Sequence, residues 1–316
     1  MKKILLSSII LSLSSIIYAE EIELLGVKQE IGMTGLETSV NYNNINRGKE
    51  NIKIDHLKDI YNIIGNTNKY LSRSFLKDDL QKEYILRLNY NYLKAENLKV
   101  PSLNLTFAGL YTDDSRLGLN LTYNDLKTKI NKNEADGEGY QISLFYLNSD
   151  LFDNSSSLVN IYYGTTDEKV DNLADKYKTN YYGLYAELEK LYEGFNDFSK
   201  GYNLKFEGKR IDEELGKNEN TNESITLELD GVFQKIFYIS NFNTISLRGS
   251  LGYEREFLDK VYHNENYSDK DNIVAKIEIT GKINEIFNIY SDFEYRKSLN
   301  TSYDENRIAL GFQLNF

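Results

Sequence analysis

Ile308-Ala309-Leu310-Gly311-Phe312-Gln313-Leu314-Asn315-Phe316 ends the chain, and its alternation decides how the rest is read. Every second residue is large and apolar, and those between are small or polar. A period of two suits a β-strand with one apolar and one polar face. The pattern recurs upstream. Phe287, Ile289, Phe293 and Tyr295 alternate with Asn288, Asp292, Glu294 and Arg296; Ile273, Ala275, Ile277 and Ile279 with Lys276, Glu278 and Thr280; Ile245, Leu247, Leu251 and Tyr253 with Ser246, Arg248, Ser250 and Glu254. Earlier runs are Ile225–Leu229, Tyr202–Phe206, Tyr182–Leu188, Val159–Tyr163, Tyr140–Tyr146, Leu117–Tyr123, Leu103–Tyr111 and Tyr84–Tyr92.

These runs amount to about twelve strands of roughly ten residues, the length a tilted strand needs to cross hydrocarbon. The fold class is therefore all-β, a transmembrane antiparallel barrel over residues 82–316. The connections alternate in character. Thr112–Ser115 and Lys282–Glu285 are tight, whereas Lys127–Glu138, Asp167–Tyr177, Asp212–Asn222 and Phe257–Asp271 are long and polar. Short turns on one side and longer loops on the other mark outer-membrane barrels. A mean hydropathy of −0.52 fits, because lumen-facing residues dilute lipid-facing ones. So do 26 Tyr, which can supply interfacial girdles, and a single Pro, a residue that ladders disfavour.

The start of the chain sets the compartment. Lys2 and Lys3 precede an apolar run, Ile4–Tyr18, and Ala19 stands before Glu20-Glu21, the layout of a secretory signal peptide over 1–19. Losing Lys2 and Lys3 would take the formal charge from −11 to −13, which makes nucleic acid a poor partner. Residues 20–49 carry Gly26, Gly32 and Gly35 with weak alternation; they are a leader without assignable structure, or two further strands that would make fourteen. In residues 50–81, Leu57, Ile60, Tyr61 and Ile64 follow helical spacing, and Phe75, Leu76 and Leu80 repeat it after a Gly65-Asn66-Thr67-Asn68 interruption, so one broken helix or two short ones, in a position to plug the lumen, precede the first strand.

If the apolar side chains face lipid, the charges between them point inward: Arg87, Glu187, Glu189, Lys205, Glu207, Glu228, Asp230, Arg248, Glu254, Lys276, Glu278, Asp292, Glu294 and Arg296. Facing lipid, an Arg or Lys would cost about 2–4 kcal/mol at midplane. Two arrangements stay open. The charges pair with one another and with the helical segment, closing the pore, or they line a wet channel. Catalysis has little to work with. The two histidines, His56 and His263, lie apart in sequence, and there is no cysteine. Ser74-Phe75-Leu76-Lys77 has S-x-x-K spacing without its companion boxes, and no calcium-loop spacing occurs. No enzyme, cofactor or metal site is expected.

With a helical segment directly ahead of about twelve strands, the chain resembles the translocator domain of autotransporters. Leu247-Arg248-Gly249-Ser250-Leu251-Gly252-Tyr253-Glu254-Arg255-Glu256-Phe257 is similar to a late strand of those domains, and Gly311-Phe312-Gln313-Leu314-Asn315-Phe316 to their closing strand. The resemblance implies a helix threaded through the barrel, outer-membrane lipid as surroundings, and a terminal signal (Phe312, Leu314, Phe316) read by the barrel-insertion machinery. It departs in one respect: only about thirty residues separate the signal peptide from the helical segment, leaving little or no passenger. A diffusion porin, or a surface adhesin acting through its loops, is the alternative. Neither solute nor oligomeric state is legible.

Overall fold

The computed structural model describes residues 83–95, 98–130, 133–149, 151, 155–170, 176–215, 218–257, 271–284, 286–300 and 304–316. The signal peptide, the leader over 20–49 and the helical segment over 50–81 lie outside these residues.

Twelve strands follow in chain order: β1 (Tyr84–Ala95), β2 (Leu98–Thr112), β3 (Ser115–Ile130), β4 (Asn133–Asn148), β5 (Ser155–Val170), β6 (Lys176–Glu193), β7 (Phe198–Leu215), β8 (Asn218–Ser240), β9 (Asn243–Glu256), β10 (Asp271–Ile283), β11 (Phe287–Ser298) and β12 (Asp304–Asn315). Each pairs antiparallel with its chain neighbours, and β12 returns to β1, so the sheet is a closed barrel. At the seam Ile85 faces Asn315 and Tyr92 faces Ile308. Both edges of β1 are taken, by β2 and β12. The count is therefore twelve, and the fourteen-strand alternative has no place in the ring.

The strands are longer than expected, from 12 residues in β1 to 23 in β8. Three stretches read as polar loops are largely ladder. β3 and β4 stay paired to Ile130 opposite Asn133, β5 and β6 to Lys169 opposite Lys176, and β7 and β8 to Leu215 opposite Asn218. The physical reason is that lipid enforces apolar alternation only within its thickness. Beyond it the backbone ladder continues with whatever side chains water accepts. The fourth stretch, Phe257–Asp271, runs through undescribed residues. Tight turns also lie at the opposite end, where Asp113-Asp114 joins β2 to β3 and Asn241-Phe242 joins β8 to β9.

Alternation survives in the burial. Tyr90, Leu103, Ile142, Leu251 and Ile277 stand exposed on the outer face, while the residues between them are covered. The single proline, Pro101, falls inside β2. It pairs with Tyr92 of β1, but the β2–β3 register steps from Lys99–Lys127 to Ser102–Asn124. A proline has no N–H to give, and the gap on the β3 side is where that loss falls.

Ring closure also depends on a repeated cross-strand device. Gly118 faces Phe145, Gly164 faces Tyr181, Gly183 faces Tyr162, and Gly311 faces Tyr290. Each aromatic ring occupies the space a Cβ on its glycine would need. The ring covers backbone that glycine leaves bare. Gly118→Val should therefore destabilise the folded barrel by about 1–3 kcal/mol or more through overpacking against Phe145. Gly281→Ala should be near neutral, since its added Cβ would meet nothing closer than the Ile289 carbonyl oxygen at 3.9 Å. Urea titration of the detergent-refolded barrel, followed by its heat-dependent gel mobility, would compare the two; equal midpoints would refute the steric account.

Candidate functional site in the barrel lumen

Because side chains alternate along a strand, the inner face is fixed once the apolar face is known. It divides into two chemical halves. Over β1–β4 it is mostly neutral amide and hydroxyl. Thr106 Oγ1 donates to Asn120 Oδ1, Thr122 Oγ1 to Asn104 Oδ1 and Ser102 Oγ to Asn124 Oδ1, each at 2.7 Å. These form a ladder of short bonds between adjacent strands. Sequence reasoning had singled out charges and passed over this half, although the same parity marks it.

Over β6–β12 the inner face is ionic, and the register sets opposite charges side by side. Lys205 stands opposite Glu187 on one side and Glu228 on the other. Its Nζ lies 2.5 Å from Glu228 Oε1 and 2.6 Å from Asp230 Oδ2, with all three side chains at most 3% exposed. Lys276 and Arg307 both stand opposite Glu294 and reach its Oε2 at 3.2 and 2.8 Å. Arg296 holds Glu254 Oε1 through Nε at 2.8 Å and approaches Glu305 at 3.7 Å. Arg248 grips the Glu189 carboxylate with both Nη atoms, from β9 to β6. Hydroxyls complete the set: Tyr185 donates to Glu187 at 2.9 Å, Tyr162 to Glu207 at 3.2 Å and Thr280 to Glu278 at 3.3 Å.

All fourteen candidate residues named above are buried or half-buried on this side of their strands. Asp292 lines a cavity of about 20 Å³ together with Glu187, Asn203, Asp230, Arg248 and Lys276. That volume suits about one water. Three charged residues that sequence reasoning missed belong to the same network: Lys209, which reaches Glu207 at 2.9 Å, Glu305 and Arg307; a fourth, Arg116 on β3, is buried and donates to the Glu83 carbonyl oxygen at 3.1 Å. They sit just outside the apolar runs, or in one whose charge was not noted, yet share the inward parity.

Arg87 serves the seam. Its Nε and Nη2 donate to Gln313 Oε1 at 3.1 and 2.7 Å, and its guanidinium lies 5.6 Å from the Tyr290 ring centroid. β1, β12 and β11 are thereby tied from within. Outside, Phe316 and Tyr84 exchange both backbone bonds, at 2.7 and 2.9 Å. The Tyr84 ring lies 5.9 Å from those of Phe316 and Phe107, and Phe287 lies 6.0 Å from Phe312. Among the described residues no group of three His, Asp or Glu side chains is arranged to hold a metal ion. The chemistry on display is electrostatic cross-linking.

A closed antiparallel barrel of twelve strands, apolar outside and polar within, is the architecture of outer-membrane barrels. Among solved structures it shares its fold with autotransporter translocator domains. The translocator domain of autotransporter NalP from Neisseria meningitidis superposes with a TM-score of 0.62 at 10% identity, over 84% of this chain and 99% of that one. The beta domain of the Bordetella autotransporter BrkA gives 0.57 at 12% identity, over 75% and 100%. No protein-family model and no curated protein sequence matches, so the likeness is one of fold.

Removing a cation from the network should be costly. Lys205→Met leaves Glu228 and Asp230 buried without their counter-charge, which should destabilise the barrel by about 3–5 kcal/mol. Adding Glu228→Gln and Asp230→Asn should restore most of it. The urea midpoint of the triple variant is the measurement, and a triple variant no more stable than Lys205→Met would rule out the charge explanation.

Proposed function

We propose that this chain is exported through the 1–19 segment to a bacterial outer membrane and stands there as a translocator-type barrel with its lumen closed, performing no catalysis. The observation that carries the reading is the burial of the inner face. Arg87, Arg116 and Arg307 are at most 1% exposed. Larger barrels enclose cavities or channels, and in an open wet lumen inward side chains would meet water unless something fills it. Residues 50–81 are suited to fill it. They directly precede β1 and carry helical spacing on either side of Gly65-Asn66-Thr67-Asn68; as a broken helix they would extend at most about 48 Å, enough to thread the bilayer. The fold shared with autotransporter translocator domains supports the same reading. A diffusion porin is the rival, favoured by the charge of the lumen and disfavoured by its closure.

Planar-bilayer recordings separate the two. The full mature chain should show little steady conductance, and deletion of residues 20–81 should open a persistent channel. A steady open channel in the intact chain would instead support the porin. We also assign Phe312, Leu314 and Phe316 to assembly, as the aromatic and apolar signature offered to the barrel-insertion machinery. Deleting Gln313–Phe316 removes the Arg87–Gln313 lock and the Phe316–Tyr84 bonds together. An edge left open in lipid costs several kcal/mol per unsatisfied backbone group. The truncated chain should lose its heat-modifiable band and its protease resistance in whole cells; retention of both would refute the assignment.

A further inference from the structure

Outward-facing charges at the loop-side end of the barrel are compensated on most strands. Lys176 of β6 reaches Asp167 of β5 at 3.4 Å. Arg210 of β7 lies 3.2 Å from Asp212 and 3.5 Å from Glu223 of β8. Arg255 of β9 lies 3.7 Å from Asp271 of β10. One sector differs. Lys94 of β1 stands opposite Lys99 of β2, and Lys99 stands opposite Lys127 of β3. Three ammonium-bearing side chains are thus in a row across three adjacent strands. All three are exposed, and they share the outer face with Tyr90, Tyr92, Leu103 and Tyr123. Among the described residues only Lys127 has a carboxylate at hand, Asp125 at 3.5 Å, with Asp136 opposite it on β4. Lys94 and Lys99 make no ion pair among the described residues.

Like charges placed directly opposite in a ladder repel one another. A row of three is tolerated where an anion lies over it. The position says which kind of anion. Lys94 is two residues beyond Tyr92, about 7 Å along the strand, which is the depth of the headgroup layer outside the hydrocarbon. Lysine stems are long enough to adjust the ammonium to that level while lying along apolar surface. Below the row, Tyr90, Leu103, Leu105 and Leu121 present an exposed apolar strip on which acyl chains can rest. Phosphate above and hydrocarbon below is the profile of a phosphorylated lipid.

We propose that Lys94, Lys99 and Lys127 form a binding site for the phosphorylated headgroup of a lipid in the loop-side leaflet, with its acyl chains against the β1–β3 face. The inference goes beyond the translocator reading and requires only that the barrel stands in a membrane.

The test uses the full mature chain in bilayer discs of neutral lipid doped with a diphosphorylated, acylated disaccharide lipid, with retained lipid per barrel counted by native mass spectrometry. Lys94→Gln/Lys99→Gln/Lys127→Gln should lower retention by about tenfold or more, since each lysine near an anionic surface contributes to attraction. Lys176→Gln/Lys178→Gln, changed on β6 outside the β1–β3 face, should retain lipid as the parent does. The dephosphorylated form of the same lipid should be held no better by the parent than by the triple variant. Equal retention by parent and triple variant would overturn the site. Equal retention of the dephosphorylated lipid by the parent would show acyl adhesion in place of phosphate recognition. Displacement by millimolar inorganic phosphate would mark a soluble-anion site and overturn the lipid assignment. Heat-modifiable mobility reports separately on the barrel. If the triple variant lacks the folded band, the dephosphorylated arm on the parent chain and Lys→Arg replacements, which should preserve retention, decide the matter.

Discussion

Hydrocarbon offers no hydrogen bonds, and the whole architecture answers to that. A backbone that crosses it in strands must pair on both edges along its length, so the first and last strands have to find each other. Here they do so over eleven residue pairs, from Ile85–Asn315 to Ala95–Glu305. The chain commits its last residue to the task. Phe316 bonds Tyr84 through the backbone and packs near it through the ring. Within the lumen Arg87 reaches across the same seam to Gln313. The closing pair is held from both faces because β1 and β12 lie far apart in sequence, with no short turn to hold their register.

Closure dictates what the inside can be. An outer face selected by lipid leaves every other residue facing inward, and those residues must satisfy one another. The two halves of the lumen solve this differently. Asn, Ser and Thr on β1–β3 give each side chain a donor and an acceptor, so neighbours bond without net charge. From β6 to β12 the register sets several opposite charges face to face, as in Arg248–Glu278 and Lys276–Glu294, while Glu228–Glu254 and Glu278–Asp292 place carboxylates opposite one another near those cations. Buried charges of this kind are costly to desolvate and costly to break singly, which favours rigidity and one register over raw stability. The longer bridges, Arg248 to Glu189 and Arg296 to Glu254, cross strands that share no ladder. They brace the curvature of the wall.

Above the membrane the same ladder serves a different solvent. β7 and β8 carry their pairing out to Leu215–Asn218, far past the last apolar pair. There the outer face becomes charged, with ion pairs such as Arg210–Asp212, and Lys94, Lys99 and Lys127 stand together on it. The strand extensions thus carry the ladder into a polar rim.

Much of this was legible in the sequence, because lipid imposes a period that survives in single residues. The alternation from Tyr84 to Phe316 specified twelve strands, their outer faces and the inward parity of charges such as Lys205, Glu228 and Arg296. What alternation cannot encode is where a strand stops once lipid no longer selects its side chains, so the rim read as loop. Nor can it tell which inward residues meet. Lys205 takes Glu228 and Asp230, and Phe145 lies over Gly118, only because inter-strand register aligns them. Register belongs to pairs of strands, and the Lys94–Lys99–Lys127 row, spread over three of them, exists only once β1, β2 and β3 have paired.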